Sequence, residues 1–386
     1  MTEHSVTRRD FLSTTAAGVL GLAAHRRAPG VEERLAFIGT YTNDGRSQGI
    51  YRLFFNTATG ALRLDGLAAK AADPSFLTMH PRGRVLYAVN EVEEFGGKPT
   101  GAVSAFAVAG GTGALTFLNQ LPSHGKAPCY VSVDRTGRTV MVANYGSGSI
   151  ATVTVRQDGR LDAVRTIVQH EGHGANPERQ EAPHAHCIVT DPGNRYVIAV
   201  DLGIDAVLAY RFDERTGSIA TVATGVATKP GAGPRHLAFH PNGRFVYVLN
   251  ELDSTLSAYT YEGENGSLEE VQITHASPDG TVSPNYPADV HIASSGRFLY
   301  SSNRGDDTIA VFAIDGGTAR VTPVQQISTG GKWPRNFTLD PTGRFLLVAN
   351  QRSDSILSFR ADAETGRLTP TGSRVEVASP VCVRFR

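Results

Sequence analysis

The sequence predicts an all-β fold: a seven-bladed β-propeller of four-stranded blades, closed by pairing of the C-terminal strand with the N-terminal strands. Three observations carry that prediction. A turn arginine recurs as Arg84, Arg138, Arg195, Arg244, Arg297 and Arg344, at intervals of 54, 57, 49, 53 and 47, and a strand ends on Asn or Asp six residues after each. Glycine-bearing turns that would lead into a fourth strand number seven, from Ala58-Thr59-Gly60 to Glu364-Thr365-Gly366. Strand-opening prolines also number seven: Pro74, Pro128, Pro183, Pro234, Pro287, Pro334 and Pro380.

Each element of the repeat has a physical reason. A chain of 386 residues exceeds what one core supports, roughly 250–300 residues, unless similar units are added side by side. A proline is harmless where a strand opens, because no N–H is needed there. The Asp/His-Pro-x-Gly-Arg turn reverses the chain, and a Val/Leu/Tyr-rich strand follows. A third strand comes next, such as Ala102 to Val108 or Thr255 to Tyr261, then the glycine turn and a fourth. Seven turns of the second kind against six of the first imply that one repeat is cut after its first strand. Ser379 to Phe385 supplies that strand, while Leu35–Thr40, Ile50–Phe55 and Leu62–Leu67 supply the other three. The two ends then meet in one blade, which removes free sheet edges. The propeller is expected to span residues 31–386.

Residues 1–30 read differently. Arg8-Arg9-Asp10-Phe11-Leu12 precedes a weakly apolar run from Thr14 to Ala24, a pattern resembling a twin-arginine export signal. It implies the export machinery as a partner and a periplasmic or extracellular location. That run, ~11 residues, is far short of the ~20 a membrane-spanning helix needs, so no stable membrane insertion is expected. Lys and Arg total 37 and Asp and Glu 37, and no basic stretch could follow a phosphate backbone, which argues against nucleic acid. Cys129, Cys187 and Cys382 are scattered, without a CxxC or CxxCH motif, and read as buried thiols. No cofactor is expected.

Because strand direction alternates, the residue after each opening proline and the residue after each strand-end Asn/Asp open on one mouth of the central channel. Counted back from the turn arginine, the first position holds Ser75, Cys129, His186, Arg235, Ala288 and Arg335, with Val381 in the split blade. The second holds Glu91, Tyr145, Leu202, Glu251, Arg304 and Gln351. With neighbouring residues, the third to sixth blades gather His184, His186, Asp201, Arg235, His236, Glu251, Asp289, His291, Arg304 and Arg335. The polar site is therefore expected off-centre. Glu91, with Ser75 rather than Arg or His after its proline, serves as the contrasting position. Convergent charges that packing does not require point to binding or catalysis. The recurring Asn residues read as strand-end caps, and Asp201 breaks their series with a carboxylate. His184 and His186 could share an ion, but no third ligand is specified by spacing, and acid–base work suits them as well. Trp333 either walls the mouth or packs at its rim.

Pro183-His184-Ala185-His186, Val200-Asp201-Leu202-Gly203, Gly233-Pro234-Arg235-His236 and Asn250-Glu251 resemble the lactonase-type seven-bladed propellers, as do Phe37-Ile38-Gly39-Thr40-Tyr41-Thr42 and Gly49-Ile50-Tyr51 near the start. That family includes bacterial 6-phosphogluconolactonase and fungal carboxy-cis,cis-muconate cyclase. The resemblance implies active-site positions at His186, Arg235, Glu251 and Arg304, with His184 competing for the histidine role. His184, Asp201, His236 and Arg335 are candidates for contacting substrate. It further implies lactone ring opening by water, or the reverse closure. His186 or Glu251 would serve as base, and Arg235 or Arg304 would meet the developing oxyanion or grip a substrate anion. An exported protein would not meet cytosolic sugar phosphates, which sets a different sugar lactone, or a carboxylated lactone from aromatic breakdown, beside 6-phosphogluconolactone as the candidate substrate. The alternative is an exported propeller that only binds a small anionic ligand or a protein partner.

Overall fold

The computed structural model describes Met1 and residues 33–222, 224–281 and 284–386. The expected export signal, apart from Met1, lies outside the described residues. From Glu32 to Arg386 the chain forms one compact unit, built of seven antiparallel sheets. Blades 1, 2, 4, 5 and 6 each have four strands in sequence order. Blade 3 adds a two-residue strand, Val226–Ala227, which like the outer strand Ser218–Thr221 pairs with the third strand, Ala206–Asp213. Blade 7 is the split one: Pro380–Phe385 is its inner strand, followed outward by Glu33–Thr40, Gly49–Asn56 and Leu62–Lys70.

The seven inner strands touch in a closed cycle, the last meeting the first. At the closure, Ile38 pairs with Val383 and Gly39 with Cys382. A Cβ on Gly39 would come 2.3 Å from the Pro74 carbonyl oxygen, so only glycine lets the closing blade approach blade 1 there. Between blades, a second-strand tyrosine repeatedly reaches the outer turn of the next blade: Tyr87 donates to Gly159 O at 3.0 Å, Tyr247 to Ala319 O at 2.9 Å and Tyr300 to Gly366 O at 3.1 Å. These bonds satisfy phenols that burial would otherwise leave unpaired. The second strands, such as Val85–Asn90 and Phe345–Asn350, are buried along their whole length, because each is covered by blades on both faces.

One irregularity decides where the site lies. In blades 2 to 7 the inner strand carries a β-bulge just after its opening residue, whereas the inner strand of blade 1, Leu77–Met79, pairs without one and begins after Pro74, which therefore does not open it. The pairing slips between Pro128 and Tyr130, Ala185 and Cys187, Pro234 and His236, and Pro334 and Asn336. The extra residue is therefore Cys129, His186, Arg235 or Arg335. Blade 5 slips between Pro287 and Val290, freeing both Ala288 and Asp289. A bulge releases its residue from the ladder and re-aims the side chain, here toward the channel mouth. In blade 3, Ala185 pairs with Asp201 where other blades pair a proline with an asparagine. Pro183 thus lies in the preceding loop and does not open the strand, which corrects the sequence assignment.

Candidate active site

A cavity of about 270 Å³ opens at this mouth. Its anchor is Glu251, placed by the N–H bond of its own backbone to Gly233 O at 2.7 Å. The carboxylate collects three guanidiniums. Arg304 Nη2 donates to Oε2 at 2.6 Å, Arg179 Nη2 donates to Oε1 at 2.7 Å, and Arg235 Nε stands 2.8 Å from Oε2. The Arg235 N–H is not aimed at that oxygen, so this last contact is an ion pair rather than a hydrogen bond. Burial pushes the Glu251 carboxyl up, but Arg304, Arg235, His186 and Arg179 together hold it well below the usual carboxylate range. Glu251 is a fixed negative charge and a weak base.

Arg235 is itself 2 % exposed and does not line the main cavity. Its Nη1 donates to the Ala288 carbonyl and lies 3.2 Å from His236 Nε2. His236 Nδ1 in turn meets Asp289 Oδ1 at 2.8 Å, and Asp289 also accepts from Asn336 Nδ2 at 2.5 Å and pairs with His291 Nε2 at 3.1 Å. Burial and the Arg235 charge push the His236 imidazole down to about 4. Arg235 and His236 thus form a buried floor that supports Glu251.

His186 lines the cavity. Burial, then the charges of Arg235 and His236, push its imidazole well below the ordinary histidine value, so it is neutral near neutral pH. Its Nδ1 is 3.7 Å from Cys129 Sγ, and its ring meets Tyr145 edge-on at 5.6 Å. His184 does not line the cavity. It stacks on Tyr145 at 4.4 Å, donates or accepts at Nδ1 with Tyr145 O at 2.9 Å, and meets Glu181 at 3.3 Å. Asp201 also stands apart: it binds His170 Nδ1 at 2.6 Å and caps the His184 and Gly203 N–H groups. Both act on the shape of the loop before blade 3. Among the described residues there is no group of three or more His, Cys, Asp or Glu side chains able to hold a metal ion.

A model of the lactonase family of seven-bladed β-propellers matches residues 35–385. The chain belongs to that family. It is 38% identical over 351 residues to 6-phosphogluconolactonase of Bacillus subtilis, covering 91% of this chain and 98% of the relative. To a 6-phosphogluconolactonase of Formosa agariphila it is 33% identical, over 79% of this chain and 86% of that one. The solved periplasmic gluconolactonase of Pseudomonas aeruginosa is 35% identical with a TM-score of 0.84, covering 92% of this chain and 99% of the other.

The mouth of this lactonase is more evenly lined than the sequence suggests. Blade 1 contributes Glu91 and blade 2 contributes Cys129 and Tyr145, which corrects the expectation that the polar site is off-centre. Glu91, the contrasting position in the sequence reading, is on the cavity wall. Arg335 faces it and donates to Tyr41 OH at 2.9 Å; among the described residues it makes no ion pair, so most of its donors remain for a ligand. Trp333 forms a wall, its indole ring 3.4 Å from the Arg352 guanidinium and 5.5 Å from that of Arg304, its backbone N–H donating to Asp307 Oδ1 at 2.7 Å and its φ at +64°. A left-handed tryptophan is strained, and the backbone bond to Asp307 helps hold it there.

Arg179 and Tyr286 are cavity residues the sequence reading missed, and Arg179 is the charged one. It sits in the connection 170–184, longer than the other links between blades, and that length was the available signal. Gln180, fully buried, ties this loop down by donating to Leu202 O at 2.8 Å and Asp205 Oδ1 at 2.7 Å.

Proposed function

We propose that this mouth opens lactone rings by adding water to the ring carbonyl. Neutral, buried His186 beside a cluster of guanidiniums is the observation that carries this reading. His186 takes the proton of the attacking water, because an imidazole that resists protonation keeps its lone pair at working pH. Arg304, on the cavity wall, stabilises the oxyanion of the tetrahedral intermediate. Glu251 is a positioning group that neutralises and orients Arg304, Arg235 and Arg179. Arg335 reads the substrate's own anionic or hydroxyl groups. Three guanidiniums on the cavity wall, Arg179, Arg304 and Arg335, against two carboxyls, Glu91 and Glu251, give the mouth a net positive field, which favours a carboxylated or phosphorylated lactone.

The reading of residues 1–30 as a twin-arginine signal supports an exported enzyme, and the P. aeruginosa relative bears a periplasmic name. An aldonolactone or a carboxylated lactone outside the cytoplasm then fits better than a sugar phosphate. Replacing Arg8 and Arg9 together with Lys should retain the protein in the cytoplasmic fraction. The activity itself is tested with purified protein on a panel of sugar and carboxylated lactones. Proton release is followed, with spontaneous hydrolysis subtracted. Saturable turnover of at least one lactone is expected. No turnover, with anions still bound, would turn the assignment to the ligand-binding alternative.

A further inference from the structure

Glu91 and Glu251 occupy the same place in blades 1 and 4, each just past a strand-end asparagine. Each is also hydrogen-bonded through its N–H to the residue before its blade's opening proline: Glu91 to Asp73 O at 3.0 Å, Glu251 to Gly233 O at 2.7 Å. Both line one cavity, yet their surroundings differ. Glu251 is held by guanidiniums. Glu91 is held by hydroxyls: Ser75 Oγ donates to Oε2, and Tyr41 OH lies 3.0 Å from both oxygens. Among the described residues Glu91 makes no ion pair within 4 Å. Arg335 reaches it only through Tyr41.

We propose that Glu91 is the general acid of the reaction, giving its proton to the ring oxygen as the carbonyl C–O bond breaks. This rests on the hydrolytic reading above. The step balances without a co-reactant. Water forms the new C–O bond and loses a proton to His186. The tetrahedral intermediate collapses with the bonding pair of the ring C–O moving onto the ring oxygen, which takes the Glu91 proton. The proton held by His186 then returns through solvent to Glu91, leaving hydroxy acid as product. An aliphatic alkoxide is a poor leaving group, so its protonation is where an acid helps most.

Burial outweighs the groups that face the Glu91 carboxyl and favours its protonated form. Burial pushes it above the usual range. Arg335, Ser75 and Tyr41 pull it down, and the neighbouring Asp73 pushes it up again. Cys129, the other titratable group beside it, stays a neutral thiol because burial and Glu91 itself raise it. Two carboxyls of one cavity driven in opposite directions mark an acid and a fixed charge.

The test uses leaving groups. In Glu91→Gln, kcat/KM for an aliphatic aldonolactone should fall by ~100-fold or more. For dihydrocoumarin, whose phenolate departs without help, the fall should be less than ~10-fold. An equal loss on both substrates, or no loss on either, overturns the assignment. Should Glu91→Gln fail to fold, Tyr41→Phe decides. Removing the hydroxyl that favours the charged carboxylate raises the Glu91 pKa, so the alkaline limb of kcat/KM must move up, and an unmoved limb overturns the proposal. A parent protein inactive on every lactone is a different result, since it removes the hydrolytic reading itself.

Discussion

The two walls of the mouth begin from the same backbone. On one, the residue after the opening proline of blade 4 is Arg235 and the carboxylate it meets is Glu251; on the other, the residue after Pro74 of blade 1 is Ser75 and its partner is Glu91. The repeat therefore decides where a carboxylate is presented, and the residue after the proline decides what that carboxylate does. A guanidinium fixes the negative charge, whereas a hydroxyl satisfies the oxygens while leaving the proton affordable. A ring of near-identical blades can thus hold an acid and a counter-charge a cavity's width apart, with no change of fold.

The contrast is sharpest in stability. Glu251→Gln strips the counter-charge from Arg235 and Arg304, both almost fully buried, and should cost ~3–5 kcal/mol in urea unfolding together with most of the activity. Glu91→Gln should have the opposite sign above the folded-state pKa. A raised carboxyl pKa means that ionisation costs the folded state, so a neutral amide removes that cost and the urea midpoint should hold or rise. If both variants lose stability equally, the two walls do not differ as described.

Chemistry separates next. His186→Asn should lower kcat/KM by ~10²–10⁴ with little change in unfolding, whereas His184→Asn, on the far side of Tyr145, should lower it by less than ~10-fold. A reversed ranking would move the base to His184. Acid should then weaken the Arg235 floor. His236 ionises near 6.5 in the unfolded chain but at about 4 when folded, and His186 is likewise depressed. The unfolded chain takes up these protons first, so stability present above pH ~6.5 is lost as pH falls toward 4. A urea midpoint unchanged between pH 7 and 5 would contradict this. Smallest is the effect at Arg335. Arg335→Met should raise KM for a carboxylated lactone by ~10-fold and for a neutral one by less than ~3-fold. Equal effects would deny it an anion-reading role.

Much of the fold was legible, because the signals repeat. The turn arginines, the glycine turns and the cut repeat between Ser379 and Leu35 are all periodic features, and each corresponds to a strand junction in the sheets. The candidate site was legible only where chemistry stood out along the chain. Arg235, Glu251 and His186 converge as read, but Arg235 lies beneath the cavity rather than in it. Glu91 was discounted because its neighbours in sequence are bland; its partner Tyr41 belongs to the split blade and reaches it only through ring closure. Arg179 lies in a loop with no repeat to measure it against. Asp201 was singled out for breaking a series, and its partner His170, on the same loop, shows why: the carboxylate replaces an asparagine cap with a buried one that is hydrogen-bonded to an imidazole.

The division between the two walls is tested most directly by a carboxyl ¹³C NMR titration of glutamate-labelled protein, with the two resonances assigned through Glu91→Gln and Glu251→Gln. Glu251 should remain ionised below the pH at which ordinary glutamates titrate, while Glu91 should take up its proton above it. Two carboxyls titrating together in the ordinary range would contradict the account.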